Sequence, residues 1–183
     1  DRCIALTLRG IFLGRASEID WFLYGIRQVF PEAWRDFAHY LPEPERHDLL
    51  EAYHRRLQDP DPAVHLPAAR RWSSYEGSCS TLLPNSALVA DYASDRVALG
   101  LARIEAHYFR HGIFLPENHL IENIGKLEGI PGTIVQGRYD AVCPPASADD
   151  LHHAWPEADY FIVPDAGHSA FEPGTRARLV ATM

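Results

Sequence analysis

The sequence TIVQGRYDAVCP (residues 133–144) decides the fold, together with YFIVPDAGHSAFEP (residues 160–173) further along the chain. Each stretch begins with a short apolar run, TIV in the first and YFIV in the second, which indicates a buried strand. Asp140 and His168 follow these runs. We therefore expect both just past the carboxyl ends of two strands, where open α/β sheets keep their reactive groups. An acid and a base at that edge suggest two members of a nucleophile-His-Asp triad.

Composition narrows the class of protein. The chain has 183 residues, 46% of them hydrophobic, which is ordinary for one globular domain or for a core with an inserted lid. A net charge of −8 argues against a nucleic-acid partner. No run is apolar over the length of a membrane span, and DRCIALTLRG at the start lacks the order of a signal peptide, so we expect a cytoplasmic protein without a membrane partner. The cysteines Cys3, Cys79 and Cys143 are widely spaced, which predicts neither a disulfide framework nor a zinc site.

The middle of the chain has a helical pattern. Apolar residues recur at spacings of three and four from about 17 to 124, Pro31 is typical of a helix start, and a helix is predicted across 64–78. A long helix is predicted across 87–110. Its proposed apolar face consists of Val97, Leu101, Ile104 and Tyr108.

The two ends of the chain have an α/β pattern. Residues 3–10 read as a strand before a tight turn, and from Ile130 the order is strand, loop, helix (145–155), strand, loop and helix (173–182). This order predicts an α/β fold whose sheet is interrupted by an all-helical cap domain. The predicted domains are a discontinuous core, 1–13 and 125–183, and a cap, 14–124.

The predicted triad lacks its nucleophile in these residues. In α/β-hydrolases the chain order is nucleophile, acid, base, so a Gly-x-Ser-x-Gly elbow is expected before Asp140, and none occurs. Ser169 has half of that motif, but Phe171 fills the position that needs a small residue. Cys143 as a nucleophile would violate the chain order. Taken singly, Asp140 reads as a turn residue and His168 as a solvated loop residue; their order and their places at strand ends favour catalysis.

Seven segments carry a resemblance to a known family. They cover nearly the whole sequence in the expected order, and the chain resembles the C-terminal two thirds of prolyl aminopeptidases (proline iminopeptidases), α/β-hydrolases with a helical cap. The fold implied is a partial α/β-hydrolase sheet with that cap. The segments are LRGIFLGR (8–15), FPEAW (30–34), RRWSSYEG (70–77), ARIEAHYF (102–109), PGTIVQGRYDAVCP (131–144), LHHAWPEAD (151–159) and GHSAFEP (167–173).

The resemblance implies roles for single residues. Asp140 and His168 match the family's catalytic acid and base, and the serine elbow and oxyanion loop match a region that would lie before Asp1. Glu76 and Glu105 match two cap glutamates that bind the charged imino group of an N-terminal proline. Charge-assisted acceptors suit a buried ammonium, although either glutamate alone would read as a solvated helix residue.

The resemblance also implies a proline pocket. Phe12 and Cys143 match residues that line it, and both would otherwise read as core packing. Trp21-Phe22 stands where the family commonly has Trp-Tyr, so any hydrogen bond from a hydroxyl at position 22 is lost. The implied reaction is release of N-terminal proline from peptides by acyl transfer, with no metal or organic cofactor. His107 and His111 lie one helical turn apart, but no further ligands complete a metal site.

Two other hypotheses stay open. One is another α/β-hydrolase, of the esterase, epoxide hydrolase or dienelactone type, in which Glu76 and Glu105 have no ligand role. The other is a non-catalytic binding or interaction module. Because the nucleophile is missing, we expect these residues alone to hydrolyse little, and we expect a partner to cover the open sheet edges, either an N-terminal segment or a second copy.

Overall fold

A three-stranded parallel sheet lies among the residues from both ends of the chain. A computed structural model of the protein describes residues 3–182, and in it the strands β1 (Leu6–Arg9), β2 (Gly132–Gly137) and β3 (Asp159–Val163) pair in the order β1-β2-β3. Ile134 pairs with Leu8 on one side and with Tyr160 on the other. The predicted strands are confirmed, although β1 is shorter than 3–10. Because the strands are parallel, their carboxyl ends meet at one edge of the sheet.

Helices make up most of the rest of the described chain. Pro31 begins α2, as predicted, because proline fits the first helical position, where no backbone N–H is needed. The helices are α1 (Ala16–Asp20), α2 (Pro31–His39), α3 (Leu49–Leu57), α4 (Pro62–Cys79), α5 (Ser86–Tyr92), α6 (Ala98–Arg110), α7 (His119–Glu122), α8 (Pro145–Ala154) and α9 (Pro173–Ala181), with short 3-10 turns at Ile26–Gln28, Glu43–Glu45, Gly112–Phe114 and Ile124–Leu127 and a π-helical turn at Trp21–Gly25.

Both faces of the central strand, β2, are covered. Ile134 belongs to a buried cluster with Leu151 of α8 and Trp155, whereas its neighbour Val135 belongs to another cluster, against which Leu179 of α9 packs. Successive residues of a strand point to opposite faces, so α8 and α9 lie on opposite sides of β2. This layering is that of an α/β sheet.

Stacked aromatic rings form the core of the helical region. Phe37 lies between Tyr53 and Tyr75, with ring centroids 4.5 Å away on each side, and Trp72 meets Phe37 edge to face at 5.6 Å. The Tyr53 hydroxyl donates a hydrogen bond to the backbone oxygen of Phe37 at 2.7 Å. Fully burying one such side chain contributes on the order of 1.5–3 kcal/mol, so this cluster is a main source of stability for the helices that carry it.

The predicted helix across 87–110 was wrong. The structure has two helices, α5 and α6, separated by a turn in which Ser94 O accepts hydrogen bonds from the backbone N–H groups of Val97 and Ala98. Ser and Asp compete for backbone hydrogen bonds in turns, and Ser94-Asp95 lies at the break. Apolar residues continue at helical spacing on both sides of the break, so their periodicity predicted one helix instead of two.

The predicted apolar face of α6 was also wrong. Ile104 and Tyr108 are 62% and 46% exposed, and the buried residues are Ala98, Ala102 and Ala106, at spacings of four. The small alanine side chains let α6 approach α4 closely enough for the Ser73 hydroxyl to donate a hydrogen bond to Ala98 O at 3.1 Å. The buried face of α6 is therefore the one whose small side chains allow close packing against α4, and its large apolar side chains lie elsewhere.

The chain divides into two compact units. We call them the sheet unit (Asp1–Glu18, Ser80–Leu82 and Pro116–Met183) and the helical unit (Ile19–Cys79 and Leu83–Leu115). Residues 1, 2 and 183, which the predicted core included, lie outside the described residues, and the predicted boundaries at 13 and 125 stay a prediction. No helix within 3–182 has an apolar stretch sufficient to span a membrane.

Candidate active site

Asp140 and His168 are in contact at the carboxyl edge of the sheet. Asp140 lies in the loop after β2 and His168 in the loop after β3. His168 Nδ1 is 3.0 Å from Asp140 Oδ2 and 3.2 Å from Oδ1. The Asp140 side chain is 1% exposed and that of His168 is 12% exposed. A base oriented by a buried carboxylate is the arrangement that a catalytic imidazole needs.

Two further donors bind the Asp140 carboxylate. The backbone N–H of Cys143 donates to Oδ1 at 2.7 Å, and Gln136 Nε2 donates to Oδ2 at 3.1 Å. The amide of Gln136 also donates to Cys143 O at 3.0 Å, and its oxygen accepts from Ile11 N at 3.3 Å. Gln136 therefore joins the loop after β1 to the loop after β2. Sequence reasoning missed this residue, and the available signal was a polar side chain inside an apolar strand.

Arg9, the last residue of β1, contacts the second ring nitrogen of His168, Nε2. Its Nη1 lies 3.1 Å from His168 Nε2 and donates to His168 O at 2.6 Å. A guanidinium has no acceptor, so the contact with Nε2 is a hydrogen bond only when Nε2 is unprotonated and Nδ1 carries the proton toward Asp140. This is the tautomer of a general base. Sequence analysis did not single out Arg9.

Glycines let backbone and ring approach closely. Gly10 has φ +56°, and a Cβ added there would lie 2.9 Å from His168 Cε1. A Cβ on Gly137 would lie 1.9 Å from Gly167 O. Side chains at these positions would push the His168 loop away from the strand ends.

A buried glutamate holds the loop that carries Phe12. Glu18 accepts hydrogen bonds from the backbone N–H of Leu13 at 3.0 Å and of Arg15 at 2.9 Å, and from the hydroxyl of Ser147 in α8. Phe12 is partly buried in this loop, and Cys143 is 8% exposed in the Asp140 loop. Both predicted pocket residues thus belong to the sheet unit, in loops after β1 and β2.

The other predicted binding residues belong to the helical unit. Trp72 Nε1 donates to Glu105 Oε2 at 2.7 Å, and the rings of Phe22 and Trp72 are 5.6 Å apart. Glu76 is 6% exposed and follows Trp72 by one turn of α4, so the two side chains share a helix face. Trp72 therefore contacts two of these predicted residues, Phe22 and Glu105.

Cys79, the last residue of α4, is 2% exposed. Burial raises the pKa of its thiol, and the negative charges of Glu76 and Glu32 raise it further. A neutral thiol is a poor nucleophile, so this environment does not suit Cys79 for covalent catalysis.

His107 of α6 and His111, the residue that caps its end, have aromatic neighbours. The rings of His107 and His111 are 4.5 Å apart, and His111 stacks on Phe114 at 5.0 Å. Within 3–182 no group of three or more His, Cys, Asp or Glu side chains is placed to hold a metal ion.

The sequence matches a family model and curated relatives. The model of the alpha/beta hydrolase fold matches residues 1–175. The chain is 49% identical to a proline iminopeptidase of Arabidopsis thaliana, over 98% of this chain and 48% of the relative. It is 45% identical to a probable proline iminopeptidase of Leptolyngbya boryana and 41% identical to a proline iminopeptidase of Neisseria gonorrhoeae, in each case over 98% of this chain and 57% of the relative. The chain thus spans about half the length of these relatives.

Substituting Gly10 tests the packing of the His168 ring. Gly10→Ala is expected to displace the ring and to abolish the low-field proton resonance of an Nδ1–H bonded to Asp140. Gly112→Ala is the matched control, because Gly112 has the same φ of +56° and an added Cβ there meets nothing within 4 Å. Both variants carry the strain of a positive φ, about 1–2 kcal/mol, and only the first should alter the histidine signal. An unchanged resonance in Gly10→Ala would contradict the proposed packing.

The raised pKa of Cys79 leads us to expect that the free energy of unfolding depends on pH. In the unfolded chain the thiol ionises near pH 8.5, whereas the folded chain keeps its proton to higher pH because burial raises the pKa. Above about pH 8.5 the unfolded state therefore holds fewer protons, and the free energy of unfolding falls with rising pH, by at most about 1.4 kcal/mol per unit from this group. In urea unfolding from pH 8 upward, Cys79→Ala should fall less steeply than the parent. The control is Cys3→Ala, at an exposed cysteine; equal slopes for the parent and Cys79→Ala would refute the prediction.

Proposed function

The chain belongs to the alpha/beta hydrolase fold family, and we propose that it supplies the acid, the base and the substrate-binding glutamates of a serine exopeptidase that releases N-terminal proline from peptides. The observation that carries the proposal is the contact between His168 and the buried Asp140 at the strand ends, in a sequence similar to proteins named proline iminopeptidase. In this proposal the helical unit is the cap domain of the enzyme.

The proposed reaction is acyl transfer through a serine. His168 Nε2 takes the proton from the serine hydroxyl as its oxygen attacks the proline carbonyl carbon. The same imidazole then donates that proton to the leaving amine as the peptide bond breaks, and water releases proline by the reverse sequence. The serine is expected in the part of the relatives' length that this chain does not span. Asp140 holds the imidazole in the required tautomer throughout.

Arg9 contacts the nitrogen of His168 that takes the serine proton in this proposal. Nε2 has a single lone pair, and Arg9 Nη1 lies 3.1 Å from it. A serine hydroxyl that donates to Nε2 needs the same lone pair. In the proposed reaction the guanidinium therefore keeps its bond to His168 O and yields Nε2 to the serine.

Glu76 and Glu105 are the proposed ligands of the substrate's secondary ammonium. Glu105 accepts a hydrogen bond from Trp72, and Glu76 is 6% exposed one helical turn from Trp72. At a buried position a charge-assisted hydrogen bond is stronger than in water. A carboxylate pair that requires a charged N-terminus would restrict cleavage to the first peptide bond. The same feature separates this proposal from an esterase, which has no ammonium to bind.

Asp140→Asn tests the proposed acid in the full-length protein, meaning these residues with whatever sequence flanks them in the gene. The amide cannot stabilise the imidazolium, so kcat for proline 4-nitroanilide is expected to fall about 10³- to 10⁴-fold with little change in KM. The matched control is Asp149→Asn, an exposed aspartate of α8. A kcat within threefold of the parent would reject the assignment. Residues 1–183 alone, assayed beside the full-length protein, are expected to give little or no hydrolysis.

Glu76→Gln and Glu105→Gln test substrate choice. Each removes one charged acceptor, and kcat/KM for proline 4-nitroanilide is expected to fall about 10- to 100-fold, whereas hydrolysis of 4-nitrophenyl acetate by the same variants should change less than about threefold. Glu43→Gln, at an exposed glutamate of the helical unit, is the control. Equal losses on both substrates would point to another hydrolase. Calorimetric binding of free proline without turnover would favour a binding module.

A further inference from the structure

The backbone on both sides of His168 is held in place. The N–H of Gly167, the preceding residue, donates to Glu172 Oε2 at 2.7 Å. The N–H of Ser169, the following residue, donates to Ser80 O at 2.8 Å. The position of the imidazole therefore depends on two anchors outside the catalytic pair.

Glu172 holds a second backbone group. Its other oxygen, Oε1, accepts from the N–H of Leu82 at 2.9 Å. One carboxylate thus bridges two segments that lie 85 residues apart in the chain, the turn at Gly167 and the segment Ser80–Leu82. Hydrogen bonds from backbone N–H to a carboxylate are among the stronger ones in proteins.

Packing at Gly167 points to the same bridge. A Cβ on Gly167 would lie 2.9 Å from Leu82 N and 3.2 Å from the carbonyl carbon of Thr81. Only glycine allows this approach without a shift of backbone. The segment Ser80–Leu82 therefore rests directly on the turn that presents His168, and Glu172 fastens it there.

The bridged segment continues directly from α4. Cys79 ends that helix and Ser80 is the next residue. Ser80–Leu82 belongs to the sheet unit although its neighbours in sequence on both sides belong to the helical unit.

We propose that Glu172 is a positioning residue: its carboxylate clamps the His168 loop to Ser80–Leu82 and so keeps the imidazole aligned. This inference rests on the proposed function, which supplies the substrate used to test it. Its effect on His168 can be measured without that substrate, because any reaction at the serine needs the same base.

The test compares Glu172→Ala and Glu172→Gln in the full-length protein, well below the melting temperature of each variant. Alanine removes both acceptors, and kcat for proline 4-nitroanilide is expected to fall about 30- to 100-fold with KM changed less than about threefold. Glutamine keeps one acceptor oxygen, so it should restore part of the loss, to within about tenfold of the parent. Glu157→Gln, at an exposed glutamate of the same unit, should leave kcat unchanged.

A second readout separates the clamp from proline specificity. A fluorophosphonate probe phosphonylates the serine, with fluoride as the leaving group, and needs no N-terminal proline. Its labelling rate should fall in the order parent, Glu172→Gln, Glu172→Ala. A fall in melting temperature with unchanged kcat and labelling rate would overturn the clamp, since Glu172 would then be structural only. If the parent is labelled but does not cleave proline 4-nitroanilide, the proposed substrate is wrong, and the order of labelling rates still decides on Glu172.

Discussion

A buried carboxylate that must be satisfied by hydrogen-bond donors is the constraint on which the sheet unit depends. Asp140 is 3% exposed, and an unpaired charge at such a depth costs several kcal/mol. Its donors come from three places: Cys143 N in its own loop, Gln136 in β2 and His168 after β3. These segments can satisfy the carboxylate only when they close on it together. The geometry of the proposed catalytic pair is therefore also the condition for folding this edge of the sheet.

Backbone contacts past the strand ends make that closure possible. Arg138 N donates to Val163 O at 2.9 Å and Tyr139 N donates to Ala166 O at 3.0 Å, so the pairing of β2 with β3 continues into the two loops. The loops lie so close that Gly137 has no space for a Cβ beside Gly167 O. Glycine at these positions sets the spacing, and Asp140 and His168 meet because the backbones that carry them are already side by side.

The sequence predicted the features that depend on local pattern. The apolar runs before Asp140 and His168 predicted two strands and placed both residues at the carboxyl edge of the sheet. Pro31 predicted the start of a helix. Both predictions succeeded because apolar spacing and the preferences of proline act over a few residues. The break between α5 and α6 was missed because it depends on turn bonds at Ser94 that apolar spacing does not encode. Arg9, at the end of β1, was missed for a different reason: its partner lies 159 residues away, and only the paired strands bring them together.

Burial alone does not separate the proposed catalytic carboxylate, Asp140, from the carboxylates that anchor loops in this unit. Glu18 is buried like Asp140, at 9% exposure against 3%, yet its partners are two backbone N–H groups and a serine hydroxyl, none of which ionises near neutral pH. Glu172 likewise binds two backbone N–H groups. Asp140 differs in a single partner, the imidazole of His168, which can take up a proton at its far nitrogen while the near one stays bonded to the carboxylate. The proposed catalytic role of Asp140 therefore depends on its donor being the imidazole of His168. Glu172 holds the loop that carries His168, and Glu18 holds the loop that carries the predicted pocket residue Phe12.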